Sequence, residues 1–522
     1  MAARLQRRFL RPVRLLGDDV NLSEQAGLLV GELMAKPWGQ VSPSVYETGR
    51  LVTLAPDLAG HRERVAYLLA GQRGDGAWGA PDGYALVPTL SATEALLTEV
   101  ARGEGDPGAL LPAVKAGLEA LRPMLAEASD LPDTPAIELI VPALVRLVND
   151  HVDGPPLPLP PGMDTTRLGR VRRLLESGGE PPQKVQHVLE VVGATGAVRP
   201  TPIGTVGASP AATAAWLSAR PEDEGAGPAR HHLEAVALRY GGPVPVGLPI
   251  TVFERAWVLS WLLRAGVPVD VPPEMTADLR AAIGPEGTPA GAGLPADADT
   301  TSVALYALAL LGVPYEPWSL AAFDTGAHFC TWQGEDGSSV SVNAHVLDAL
   351  GQYTRARPAA AQAYRARIER VARWLAERQR PDGSWSDRWH ASPYYATLSC
   401  VLALGEFGGP GYAEAVLRAR EWILATQRAD GSWGRWAGRP EETAYGMQAL
   451  LLSGPDPDER CERAARRGYE YLIRSANLSD YPPLWHDKEL YSPTAIVRAA
   501  VIAAQHVTIC HTEGNSRYEN RT

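Results

Sequence analysis

The sequence predicts an all-α fold of many short, antiparallel helices. Apolar residues recur at i, i+3, i+4 and i+7 through segments such as Ser302–Leu311, Ala359–Gln379 and Ala413–Gln427. Gly and Pro punctuate these segments, which run to about 10–20 residues each. No series of alternating strands with hairpin turns competes with that pattern. An internal repeat is the third observation. Gln72–Trp78, Gln379–Trp385 and Gln427–Trp433 all read QRxDG[AS]W, and each follows an amphipathic segment. The pattern predicts a helix end, an Asp-Gly turn, and a Trp packed back over the helix. The Gln side chain is placed to satisfy free carbonyls there. Helical arrays repeat such units because each hairpin buries its face against the next.

In chain order, Met1–Pro12 is basic but lacks the continuous apolar stretch of a secretory signal. His151–Met163 contains the stiff run GPPLPLPPG, a linker or surface loop. Gly241–Pro249 is a second break, dividing a unit with one repeat copy from a unit with two. His511–Thr522 is a polar end. No window approaches 18 uninterrupted apolar residues, so no transmembrane helix is predicted.

The length of 522 residues gives a prior of three or four units. With 49 Lys+Arg against 60 Asp+Glu the net charge is −11, which argues against nucleic acid as the main partner. Hydrophobic residues at 45% and charged residues at 21% exclude whole-chain disorder. Cys330, Cys400, Cys461 and Cys510 lack CxxC spacing. They read as reduced thiols of a cytoplasmic protein, not a disulfide frame or zinc site. Trp 14 and Tyr 17 against Phe 5 is an unusual excess of aromatic faces with polar tips.

Pro295–Ser302 reads PADADTTS and opens a helix. One reading is N-capping by Asp, Ser and Thr. The other is a carboxylic acid pair poised for proton donation. Two carboxyls one residue apart in a dry cavity cannot both ionise cheaply, so one keeps a proton. The helix dipole opposes this and lowers the pKa.

Together with the three repeats, Asp297-Ala-Asp299-Thr300-Thr301 resembles the acid motif of class II terpene cyclases. It is closest to the bacterial class II diterpene cyclases that carry DxDTT in place of DxDD. Further stretches resemble that family in order, from Ser44–Thr48, Ile137–Pro142 and Phe253–Trp257 through Val342–Val346 and Trp385–His390 to Glu441–Tyr445 and Leu484–Tyr491. The resemblance implies two α-barrel (α/α toroid) domains, called β and γ, with the active site between them. Residues 25–54 would start the β barrel, 55–245 would form an inserted γ barrel, and 246–508 would complete the β barrel with the acid motif.

The implied activity is protonation of the terminal alkene of a linear prenyl diphosphate. A carbocation cascade then closes rings and ends in proton loss, with the diphosphate retained. Geranylgeranyl diphosphate giving a bicyclic labdane- or halimane-type diphosphate is the main reading. By the same resemblance Asp299 is the acid, Asp297 the first Asp, and Asn343 holds the acid by a hydrogen bond. His345 is either a helper or a core histidine. Thr300 stands where the commoner motif has a third Asp, which changes the hydrogen bonding around the acid.

Carbocations need aromatic faces and a dry pocket. Trp332, Trp389, Tyr394, Tyr395, Tyr445 and Trp485 are the candidate lining. Lys488 and Arg388 are expected to face the diphosphate. Magnesium is the expected cofactor, with Asp130, Asp133 and Glu138 as oxygen ligands. Asp18-Asp19 lacks the third Asp of a class I DDxxD motif, and no NSE-type motif appears. Ionisation of the diphosphate would therefore fall to a downstream class I terpene synthase or a phosphatase. Alternatives are a drimenyl-type cyclase taking farnesyl diphosphate, a zinc-dependent protein prenyltransferase-like subunit, and a non-catalytic helical-repeat scaffold.

Overall fold

The computed structural model describes residues 21–127, 131–178, 181–193, 197–335, 337–454, 457–475 and 481–519, with side chains to 512. Six helices close an inner ring: Thr251–Arg264, Ala298–Leu310, Val340–Ala356, Pro393–Ala403, Pro440–Leu452 and Thr494–Glu519. Each packs on the next, and the last packs on the first. Leu22–Ala35, Pro273–Ala281, Ala361–Ala376, Ala413–Ala425 and Glu459–Arg474 form an outer layer. The sequence explains the division. Ala298–Leu310 is apolar or small on nearly every face, so it can be surrounded. Glu459–Arg474 buries only the stripe Cys461, Ala464, Ala465, Gly468 and Leu472, so it must lie outside.

A smaller ring is built from Val45–Leu54, Leu86–Arg102, Ile137–Asn149, Leu189–Val192 and Pro210–Ala219. It is inserted into the larger one. The chain enters and leaves it through a two-residue antiparallel pairing, Pro43 opposite Pro245 and Ser44 opposite Val244. The expected boundary at 54/55 needs correction. Leu22–Ala35 packs on the Thr494–Glu519 wall, but Val45–Leu54 packs on Leu86–Arg102 and Pro210–Ala219. Tyr46 and Leu51 belong to the core of the inserted barrel. The crossing point is therefore the paired neck at Pro43–Ser44.

The repeat is a staple, identical in its three copies. Gln72, Gln379 and Gln427 each donate two amide hydrogen bonds. One goes to the turn carbonyl of Gly76, Gly383 or Gly431 at 2.9 Å; the other goes to Ala113, Ala415 or Ala464 on the next outer helix at 2.8–2.9 Å. The buried indoles of Trp78, Trp385 and Trp433 donate to Leu68, Leu375 and Ile423 carbonyls at 2.7–2.8 Å. The turn glycines sit at φ of 84°, 96° and 91°, which other residues rarely adopt.

Thr494–Thr512 has the length and hydropathy to cross a membrane, but 67% of it is buried as the sixth wall of the larger barrel. Loops that lead into inner helices meet the inserted unit, Arg388 at Asp133, Arg435 at Asp82 and Asp487 at His187, and the acid motif opens another inner helix.

Candidate active site

Asp297 and Asp299 hold two different positions at one helix start. Asp297 is the N-cap of Ala298–Leu310, and its Oδ1 accepts the Thr300 N–H at 2.6 Å. The Thr301 hydroxyl donates to the Asp297 carbonyl at 2.5 Å and accepts the Thr288 N–H at 2.7 Å. Burial pushes the Asp297 carboxyl up to about 8, opposed by the Thr300 N–H and helped by the charge of Asp299. Asp299 lies in the first turn, partly exposed to the interior, with its Oδ1 2.6 Å from His345 Nδ1. Burial lowers the proton affinity of His345, but the Asp299 carboxylate outweighs it and the imidazole titrates above its ordinary range. The two readings of the motif thus divide between its residues: Asp297 caps the helix with its proton affinity raised by burial, and Asp299 pairs with His345, which lines the cavity.

Asn343 does not reach the acid. Its Oδ1 accepts the Phe329 N–H, and its Nδ2 donates to the Phe329 and Ser339 carbonyls, all at 2.9 Å. It is a loop clamp, with both amide protons given to backbone carbonyls. His345, two residues on, stands half a turn away and takes the place expected for Asn343.

A continuous aromatic belt starts at this pair. Trp257 meets His345 edge-on with centroids 5.4 Å apart, and its Nε1 donates to Tyr395 Oη at 3.1 Å. Tyr395 packs on Tyr445 at 5.4 Å, Trp485 at 4.9 Å and His390 at 4.4 Å. Trp261 stacks on Tyr445 at 5.8 Å. Below His345 a cavity is lined by Trp257, Trp261, Val303, Tyr306 and Asp348. Trp332 and Trp389 form a separate T-shaped pair, 5.0 Å apart, with Trp389 Nε1 on the Thr331 hydroxyl at 3.1 Å. The Thr331 carbonyl in turn accepts the Ala298 N–H, so this pair borders the start of the acid helix. Tyr394 is a correction: its ring packs on Trp422 of the outer layer at 4.8 Å. Neighbouring helical positions point about 100° apart, so Tyr394 and Tyr395 cannot share the axis.

A carboxyl pair at a helix start, beside a buried aromatic lining, is an arrangement suited to alkene protonation. The chain compares accordingly with known proteins. The squalene-hopene cyclase C-terminal domain family matches residues 334–495. The ent-copalyl diphosphate synthase of Streptomyces sp. (strain KO-3988) is 44% identical over 493 residues, covering 92% of this chain and 95% of that protein. The labda-7,13-dienyl diphosphate synthase of Streptomyces clavuligerus is 43% identical, covering 92% and 91%. The chain belongs to the bacterial class II diterpene cyclases. The structure of ent-copalyl diphosphate synthase from Streptomyces platensis superposes with a TM-score of 0.89 at 44% identity, covering 93% of this chain and 99% of that one.

Within this cyclase the expected diphosphate and metal residues sit differently from expectation. Lys488 is fully buried between the barrels. Its three protons go to Glu47 at 2.6 Å, Glu190 at 2.8 Å and the Ser209 hydroxyl at 2.8 Å. No donor is left for a diphosphate, so Lys488 is an inter-barrel strut. Burial pushes its proton affinity down, but Glu190 and Glu47 outweigh this and raise it. Arg388 remains at the crevice, 3.0 Å from Asp133 of the inserted barrel and 3.6 Å from Glu335. Asp130 lies outside the described residues. Glu138 is 2.8 Å from Arg167. Asp133 and Glu138 thus each face an arginine rather than a common point. Among the described residues, three metal-binding side chains converge only at His61, Glu99 and Glu104. Of the expected magnesium ligands, the two described, Asp133 and Glu138, do not converge on one point.

Sequence reasoning missed Trp257, Trp261 and Glu441. The first two were legible in principle, because an i, i+4 Trp pair marks one face of a helix.

Proposed function

We propose that this cyclase converts geranylgeranyl diphosphate to a bicyclic labdane- or halimane-type diphosphate, with Asp299 as the general acid. The 2.6 Å Asp299–His345 contact, at the head of the aromatic belt, carries the assignment. In the proton-loaded state Asp299 carries the reactive proton on Oδ2 while the His345 Nδ1–H donates to Oδ1, a bond that the neutral ring makes as well as the charged one. Once that proton passes to the terminal alkene, the new carboxylate is already paired, which lowers the cost of ionising it. Asp297, capped and protonated, keeps a second negative charge away from the site. Trp257, Tyr395, Tyr445 and Trp485 offer ring faces to the cations and exclude water that would quench them. The cascade ends in loss of a proton, and the diphosphate is retained.

Arg388, at the crevice, is the cation proposed to meet the diphosphate. A magnesium ion would supply charge neutralisation of the diphosphate here, alongside Arg388. The retained diphosphate implies a later class I terpene synthase or a phosphatase. The four free thiols, three of them buried, agree with the reducing conditions of a cytoplasm.

The test is incubation with geranylgeranyl or farnesyl diphosphate, with and without a chelator, followed by dephosphorylation and gas chromatography with mass spectrometry. A bicyclic C20 alcohol from the first substrate is expected. A cyclic product from farnesyl diphosphate alone would overturn the substrate assignment.

A further inference from the structure

Glu441 opens the Pro440–Leu452 inner helix, one turn before Tyr445, and is 1% exposed. The proton chemistry above makes no use of it. Its Oε1 accepts Trp485 Nε1–H at 2.9 Å and Tyr445 Oη–H at 3.1 Å, with His390 Nε2 at 3.5 Å. The Ser392 N–H donates to His390 Nδ1 at 3.0 Å, so the proton of the neutral ring sits on Nε2, on the Glu441 side. Arg439 binds the other oxygen, Oε2, at 2.7 Å and also engages the Pro482 carbonyl and the Tyr481 ring. Burial works against the charge on Glu441, but Arg439, His390 and Trp485 outweigh it and hold the carboxyl down at about 2. The carboxylate is therefore ionised, with its Oε1 turned to the belt and its cation on the opposite oxygen.

We infer that Glu441 is a positioning residue for the late cations of the cascade, fixing the rings of Trp485 and Tyr445 and supplying a preorganised negative pole beside them. The inference rests on the cyclisation proposed above. Hydrogen-bond donation from an indole N–H or phenol O–H to a carboxylate raises electron density in the ring, which strengthens its attraction for a cation. A fixed charge also stabilises developing charge without reorganising. An exposed carboxylate beside a carbocation would trap it as an ester. Here both oxygens are engaged, Oε1 by Trp485 and Tyr445 and Oε2 by Arg439, which blunts the carboxylate as a nucleophile while leaving its charge. The effect falls on late cations because Tyr395 and Trp257 stand between Glu441 and the acid: Trp485 packs on Tyr395, and Trp257 links Tyr395 to His345.

The test compares wild type, Glu441→Gln, the double variant Glu441→Gln/Arg439→Gln, and Trp485→Phe, with geranylgeranyl diphosphate as probe. Glu441→Gln is expected to lower kcat about 10- to 100-fold while KM stays within about threefold. Its product is expected to split into several skeletons, including less cyclised ones. Trp485→Phe keeps a ring but loses the N–H, and is expected to move the product mixture the same way by less. The double variant removes both charges, so no guanidinium is orphaned. A merely structural ion pair predicts that it recovers the single product at the wild-type rate; the inference predicts a persistent mixture. That recovery, or an unchanged product from Glu441→Gln, overturns the inference alone. Absence of any cyclic product from wild type overturns the proposed function and this inference with it.

Discussion

Lys488→Met separates a substrate-binding lysine from a structural one. In the wild type this ammonium is 0% exposed and gives its three protons to acceptors 2.6–2.8 Å away, two of them carboxylates of the inserted barrel. Methionine fills similar volume but strands Glu47 and Glu190 in a dry interface. Removing one partner of such a set costs about 3–5 kcal/mol. Some of this is recoverable by protonation. Glu47 already titrates near 7, raised by burial against the pull of Lys488 and pushed further by Glu190. An acid whose folded pKa is raised favours the fold fully below its unfolded value and loses that contribution as pH rises through the folded value. Without the ammonium Glu47 is held higher still, so the deficit should be small near about pH 5 and keep growing as pH rises through and beyond about pH 8. Urea unfolding at both pH values gives the stability, and steady-state kinetics at low temperature gives KM. A variant with unchanged unfolding midpoints and a KM raised tenfold or more would show that Lys488 meets the diphosphate.

Three further outcomes follow from the site and the staple. Asp297 titrates near 8, so kcat/KM should fall above about pH 8. Asp297→Asn keeps the N-cap and should abolish that limb; an identical pH profile would mean another group titrates. His345→Asn should lose a charge-assisted bond of about 1.5–3 kcal/mol, lowering kcat with little change in KM; an unchanged kcat would leave His345 as packing. Gln427→Ala strands the Gly431 and Ala464 carbonyls. It should cost about 1–3 kcal/mol in thermal or urea unfolding with the product unaltered, and a change in product instead would refute the staple.

Local patterns carried the sequence reading furthest. The helical class, the QRxDG[AS]W staple and the acid motif each lie within a few consecutive residues, where period and turn chemistry act directly. The division of labour between Asp297 and Asp299 was half legible: the cap is a local rule, but the partner of Asp299 is 46 positions away. Asn343 and His345 are both buried on one helix but point to nearly opposite faces, so the first clamps the loop at Phe329 and the second meets the acid. Lys488 misled for a similar reason. Its neighbours in sequence are polar, but Glu47, Glu190 and Ser209 arrive from the inserted barrel. The neck was misplaced because Val45–Leu54 is amphipathic enough for either barrel, and the Pro43–Pro245 pairing that decides it is non-local.

The most direct measurement is the cyclisation rate of Asp299→Asn on geranylgeranyl diphosphate, with substrate binding followed separately by calorimetry. Asparagine keeps the shape and the contact to His345 but has no acidic proton to transfer. The account predicts unchanged folding and binding with turnover reduced by at least about 10²–10⁴-fold. A folded Asp299→Asn enzyme that cyclised near the wild-type rate would contradict it and move the acid elsewhere.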